Sequence, residues 1–231
     1  MGDTGEIGAI VYTVTTWLLP VLFAITLHEA AHGYIAWKLG DDTAYRLGRV
    51  SFNPLRHIDR FGTIILPALL LLIRAPFLFG WAKPVPVNFR RLNNPRRDMI
   101  LVAAAGPGIN MVMAIGAAIL LHGAVLLPAE IGVWTVENLK NALLINVVLA
   151  VFNMLPLPPL DGGRVAVGLL PPVLARPLAK IERWGLFIIL GALIILPMIG
   201  RRLGLEIDLF ETLVLGPVVW IIGIILRLTG H

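Results

Sequence analysis

Residues 7 to 27 form an apolar run of about twenty residues, relieved only by threonines and Tyr12, and the run leads directly into His28-Glu29-Ala30-Ala31-His32. A stretch of that length crosses roughly 30 Å of hydrocarbon, and in lipid it must be a helix because only a helix satisfies its own backbone. Three ionisable groups at the end of such a helix are costly unless they share a partner. On a helix His28 and His32 stand at i and i+4 on one face, separated along the axis by about 6 Å, so both can reach one metal ion. Glu29, one residue past the first histidine, is placed to touch water beside that metal without binding the metal. This is the arrangement of a zinc hydrolase. The competing reading is a chance match whose histidines cap or hydrogen-bond locally, and the apolar setting weakens it.

Composition extends the membrane reading to the whole chain. Of 231 residues, 58% are hydrophobic and 14% charged, and the mean hydropathy is +0.85, too little polar side chain to coat a soluble globule. The formal charge of +5 sits between apolar runs, where the positive-inside rule puts cations, so no nucleic-acid role is assigned. There are no cysteines, which excludes disulfides and thiolate metal sites. The start of the chain carries Asp3 and Glu6 and no basic stretch, so the first run reads as a retained span rather than a signal peptide. Pro20 lies inside it and frees a carbonyl that a threonine or a neighbour must satisfy.

Residues 38 to 60 carry Lys38, Arg46, Arg49, Arg56 and Arg60 against Asp41, Asp42 and Asp59, an excess of cations that predicts the cytoplasmic side, with the N-terminus outside. Residues 62 to 79 are apolar but broken by Pro67, Arg74 and Pro76, and the next stretch is basic again, with Lys83, Arg90, Arg91, Arg96 and Arg97. Two cytoplasmic flanks need an even number of crossings, so 62 to 79 reads as re-entrant or as a short buried hairpin. Residues 81 to 88, WAKPVPVN, cannot be helical because Pro84 and Pro86 remove donors and push their predecessors into extended geometry. Apolar runs then follow at 99 to 127, with Asn110 inside, and at 139 to 155, with Asn146 and Asn153 inside. Two further spans are predicted at about 184 to 199 and 209 to 226, joined by a loop with Arg201, Arg202, Glu206 and Asp208.

The expected fold is therefore an all-α polytopic membrane protein with about five to six transmembrane helices and a short re-entrant or extended β segment near 81 to 88. The chain reads as a single domain over 1 to 231, with a catalytic core at about 7 to 175 and C-terminal helices at about 180 to 231. Two histidines leave zinc short of a protein ligand. Of the acids, Glu130 and Glu137 belong near the outer loop, and Glu182 sits among Lys180 and Arg183, where a salt bridge suits it. Asp161 ends an inward-going span at the depth of the histidines, before Gly162-Gly163, so it is the favoured third ligand; its plainer reading is a turn or cap aspartate. Asn110 and Asn153 can stabilise an oxyanion, hold substrate backbone, or simply bond between helices. His57 reads as structural, His122 and His231 receive no role, and Arg74 snorkels or pairs.

Taken together, His28-Glu29-xx-His32, Gly80-Trp81-Ala82-Lys83-Pro84-Val85-Pro86-Val87, Ala105-Gly106-Pro107-xx-Asn110 and Asn153-xx-Pro156-xxxx-Asp161-Gly162-Gly163 resemble the site-2 protease family of intramembrane zinc metalloproteases, over about residues 7 to 164. The resemblance implies that His28, His32 and Asp161 bind one zinc ion, that Glu29 is the general base and acid, and that the partner is a transmembrane protein substrate cut near the cytoplasmic leaflet. A bacterial plasma membrane is the expected location, with the active site near its cytoplasmic face. Met154 after Asn153 departs slightly from the pattern, and neither a PDZ domain nor a CBS pair is visible. The leading alternative is a non-proteolytic metal-binding scaffold or metal transporter, although transport would need polar residues lining several spans to the far side.

Overall fold

The computed structural model describes residues 3–72, 82–202 and 208–231. In chain order its helices are α1 (Asp3–Lys38), α2 (Thr43–Arg46), α3 (Leu66–Leu72), α4 (Pro95–Ala124), α5 (Ala129–Asn153), α6 (Asp161–Leu169), α7 (Pro172–Lys180), α8 (Glu182–Leu190), α9 (Leu196–Arg202) and α10 (Gly216–Thr229). Among the described residues, four helical stretches are long and apolar enough to cross a membrane: Gly8–Lys38, Pro95–Ala124, Ala129–Asn153 and Glu211–Thr229. The protein is an all-helical integral membrane protein.

Helix α1 runs through Pro20 without a break. The proline has no N–H for the carbonyl four residues earlier, and Asn141 of α5 fills the gap by donating from Nδ2 to Thr16 O at 3.1 Å. The indole of Trp134 adds a bond to Thr15 Oγ1 at 3.3 Å. Helices α4 and α5 and the stretch Glu211–Thr229, a π-helical turn followed by α10, meet along a seam in which Ala114, Ala117 and Ala118 face Leu143, Val147, Val214, Val218 and Ile225. Alanine is what such a seam needs: in lipid, helices associate through close backbone approach rather than through removal of apolar surface from water.

Residues 184 to 199 fall within a helical stretch from α8 through a π-helical turn, Gly191–Ile195, to α9. The reading of 62 to 79 as re-entrant rests partly on residues 73–79, which lie outside the described residues together with Arg74 and Pro76. Before them a π-helical turn, Arg60–Ile65, enters α3. Trp81 also lies outside the described residues, and 82–88 is neither helix nor strand. No strand occurs among the described residues. The β expectation for this segment thus has no partner strand to pair with; side chains and loop carbonyls take that place. Lys83 N–H donates to His57 O at 2.9 Å, Arg49 Nη2 to Lys83 O at 2.6 Å, Val85 N–H to Glu29 Oε2 at 2.7 Å, and Asn88 N–H to Asp41 Oδ2 at 2.6 Å. Asp41 is fully buried and its other oxygen accepts from Thr43 N–H and Oγ1 at 3.1 and 2.5 Å. Arg49 and Asp41, read from sequence only as loop charges, are the two pins that hold this segment over the end of α1.

Ala118 is fully buried in the seam. Ala118→Leu should therefore destabilise by about 1–3 kcal/mol through overpacking, read as a lower thermal midpoint of the purified protein in detergent. An unchanged midpoint would show that the seam is not tightly packed.

Candidate metal centre

The centre is built where α1 and α4 cross. Val102, Gly106 and Asn110 recur at four-residue spacing, so they share one face of α4, and that face meets His28 and His32. The carbonyl of Val102 accepts from His32 Nδ1 at 2.7 Å. Asn110 Oδ1 accepts from His28 Nδ1 at 2.6 Å. Between them Gly106 leaves room for the rings: a Cβ there would lie 2.6 Å from both Cε1 and Nε2 of His28.

These two bonds fix the imidazoles. Each Nδ1 carries its ring's proton, so each Nε2 presents a lone pair. The two Nε2 atoms are 3.0 Å apart and lie 3.2 and 3.3 Å from Asp161 Oδ2. Asp161 is the first residue of α6, which is packed against the turn after α5. A Cβ on Gly162 would come within 2.5 Å of Leu155 O and one on Gly163 within 2.6 Å of Pro158 Cδ, so the Gly-Gly pair is what lets the aspartate approach.

Three acceptor atoms converging at 3.0 to 3.3 Å repel one another unless a cation lies among them. A proton can bridge two, but Asp161 Oδ2 is buried and has no hydrogen-bond partner. A tetrahedral zinc ion with bonds of about 2.0–2.1 Å spaces its ligand atoms by about 3.3–3.4 Å. The donor set, its spacing and the glycine cradle therefore fit zinc. His28, His32 and Asp161 are the only His, Cys or acidic residues so grouped among the described residues.

Glu29 is half-buried beside them in a cleft of about 250 Å³, which Val85, Val87, Phe89, Asn153 and Arg164 also line. Asn153 donates from Nδ2 to Leu149 O at 3.0 Å and lies along this cleft. Asn110 does not line it; the residue is fully buried behind His28, bonded between helices. The other acids are elsewhere: Glu182 pairs with Arg164 at 3.2 Å and Glu137 with Lys140 at 3.0 Å. His57 is buried, with Nε2 on Ser51 O at 3.0 Å, and His122 and His231 stack on each other with ring centroids 3.9 Å apart.

The sequence of "Putative zinc metalloprotease YwhC" from Bacillus subtilis is 36% identical over 208 residues, covering 85% of this chain and 91% of that protein. The chain belongs to peptidase family M50, the site-2 protease family. The M50 family model matches residues 128–196. "Putative zinc metalloprotease Rip2" is 29% identical in Mycolicibacterium smegmatis, over 84% of this chain and 71% of that protein, and 28% identical in Mycobacterium tuberculosis, over 88% and 74%. No solved structure matches significantly. As an M50 member the protein is a membrane zinc metalloprotease acting on protein substrates, and its cofactor is zinc. Gly106, Asn146, Arg49 and the Val85 amide were not singled out as site elements from sequence. A signal existed for Gly106, four residues before Asn110 and so on the same helix face.

Gly106→Ala should abolish stoichiometric zinc in the purified protein, because the methyl occupies the space of the rings, while Gly108→Ala, which meets nothing within 4 Å, should leave it unchanged. Metal analysis of both variants checks this; full zinc in Gly106→Ala would refute the cradle.

Proposed function

We propose that this chain is an intramembrane protease that cuts peptide bonds in or near transmembrane segments of other proteins, in the manner of regulated intramembrane proteolysis, at the cytoplasmic side of a bacterial plasma membrane. His28, His32 and Asp161 hold the zinc and Glu29 is the general base and acid. The observation that supports this best is the convergence of three unprotonated acceptor atoms beside a carboxylate in a cleft that opens between apolar helices. The stretch Glu182–Arg202 is a fifth crossing, and the whole chain is one domain with its catalytic core at about 7 to 175.

Bound at these ligands, zinc supplies Lewis-acid chemistry that acidifies water and polarises a carbonyl. Glu29 takes the proton of the attacking water and returns it to the leaving amine. Val85 N–H donates to Glu29 Oε2, which orients the carboxylate and leaves Oε1 as the proton carrier. Asn153 lies along the cleft and suits a contact to substrate backbone or to the developing oxyanion.

A helical substrate hides its carbonyls in its own hydrogen bonds, so it must unwind before it is cut. Residues 82–88 offer it an edge. Val85 C=O and Val87 N–H have no hydrogen-bond partner among the described residues. In extended backbone a residue's N–H and C=O point to the same side, as do those two residues on, so both face the side on which Glu29 is bound. An unwound segment bonding there by strand addition exchanges internal bonds for intermolecular ones and lies across the cleft.

Glu29→Gln should lower cleavage of a transmembrane substrate at least 10²–10⁴-fold, the scale of general acid–base catalysis, while zinc content stays at the wild-type level. Membrane proteomics of wild type against the variant checks it, and cleavage that persists would remove Glu29 from the role. Asp161→Ala should lose zinc on metal analysis; unchanged occupancy would take Asp161 out of the ligand set.

A further inference from the structure

We propose that Asn146, which touches neither the ligands nor the cleft, is a positioning residue that sets the tautomer of His28 through Asn110. The proposal rests on His28 being a zinc ligand. Asn146 sits in the middle of α5 and is 2% exposed. Its Nδ2 donates to Ala142 O at 2.8 Å, and its Oδ1 accepts from Asn110 Nδ2 at 2.7 Å. The same Asn110 Nδ2 donates to Ala24 O of α1 at 3.2 Å, and Asn110 Oδ1 faces His28 Nδ1 at 2.6 Å.

The polarity of this chain is forced from its far end. A backbone carbonyl can only accept, so the amide end of Asn146 that meets Ala142 O must be its NH2, which turns its oxygen to Asn110. The end of Asn110 that meets both that oxygen and Ala24 O must then be its own NH2. Its oxygen is left for His28, and an oxygen there demands a proton on Nδ1. Nε2 is therefore the lone-pair atom aimed at the metal position. Without Asn146, one Asn110 N–H is left unpaired in an apolar interior, and only the longer 3.2 Å bond to Ala24 opposes rotation of the amide. His32 needs no such relay, because its Nδ1 meets the Val102 carbonyl directly. The two histidine ligands are thus oriented by different means, and only one depends on α5.

The test uses the full-length protein purified in detergent and two near-isosteric variants. Asn146→Leu removes both hydrogen bonds and keeps the volume. Asn146→Asp, which burial keeps neutral, can still donate an O–H to Ala142 O and accept from Asn110. Zinc affinity, measured by competition with a chromophoric chelator, should weaken about 10–100-fold in Asn146→Leu, the usual consequence of losing such an outer partner, and should stay within a few-fold of wild type in Asn146→Asp. In metal-free protein labelled with ¹⁵N-histidine, the His28 signal, assigned by its absence from His28→Gln, should be of the Nδ1–H form in wild type and Asn146→Asp and mixed in Asn146→Leu. Equal weakening in both variants would show a packing role and overturn the proposal, as would wild-type affinity or an unmixed Nδ1–H signal in Asn146→Leu. Should Asn146→Leu not fold, an Asn146→Asp protein with weak zinc or a mixed His28 signal overturns it equally. The tautomer is read without metal, so it tests the relay even where zinc binding itself fails, which would instead overturn the ligand assignment.

Discussion

Three lone-pair atoms held within 3.3 Å of one another are the constraint around which this protein is built. Such an arrangement is unfavourable in a folded chain on its own, and the structure maintains it from three directions. Helix α1 fixes the spacing of the histidines, one face of α4 fixes their rotation, and α6 carries the aspartate in. Each direction depends on a local sequence choice. The i, i+4 spacing puts two rings side by side, Gly106 admits them, and Gly162 with Gly163 lets α6 close on the preceding turn. Removing any one of these leaves the other two presenting uncompensated polar groups to a dry interior, where such groups are most costly.

The surroundings of Glu29 follow from the same packing. Glu29 is one residue from His28, so it cannot turn to the metal position without leaving the helix face it occupies, and its nearest donor is a backbone amide. That amide belongs to a segment in which alternate residues are prolines. Pro84 and Pro86 have no N–H, and from Lys83 onward the donors that remain in the segment are Lys83, Val85, Val87 and Asn88. Three are used to bind a loop carbonyl, Glu29 and Asp41. The prolines thereby decide which backbone groups remain for another chain, and Arg49 and Asp41 decide where they point.

The motif that gave the metal chemistry was fully legible in sequence, because helical periodicity alone turns His28 and His32 to one side. The nearness of Asp161 to the two histidines was legible by topology, since an acid at the end of a long apolar run can arrive at their depth. The long apolar helices were legible from length. What sequence could not supply was the identity of partners across helices. Asn110 was open between contact with substrate and an interhelical bond, and only the geometry places it behind His28. Arg49 looked like one more cation of a cytoplasmic loop, since nothing in a charge count separates a buried guanidinium clamped on Lys83 O from a solvated one. The extended segment was recognised from its prolines, but its partners were not, because they are the side chains of Glu29, Asp41 and Arg49 and the carbonyl of His57, all distant in sequence.

In lipid, apolar helix surfaces gain little by meeting one another, so association falls to close packing and to hydrogen bonds. Among the described residues the hydrogen bonds between the first three long helices are few: Asn141 to the Thr16 carbonyl freed by Pro20, Trp134 to Thr15, His32 to the Val102 carbonyl, and the chain from Asn146 through Asn110 to Ala24 and His28. The last of these joins α5, α4 and α1 at one level and ends on His28. Correct docking of the three helices and correct presentation of His28 Nε2 are therefore a single event rather than two. A helix displaced by one turn would satisfy neither its amides nor the metal. The polar groups that a membrane interior tolerates least are here the ones that give the bundle its register, and the register is what creates the site.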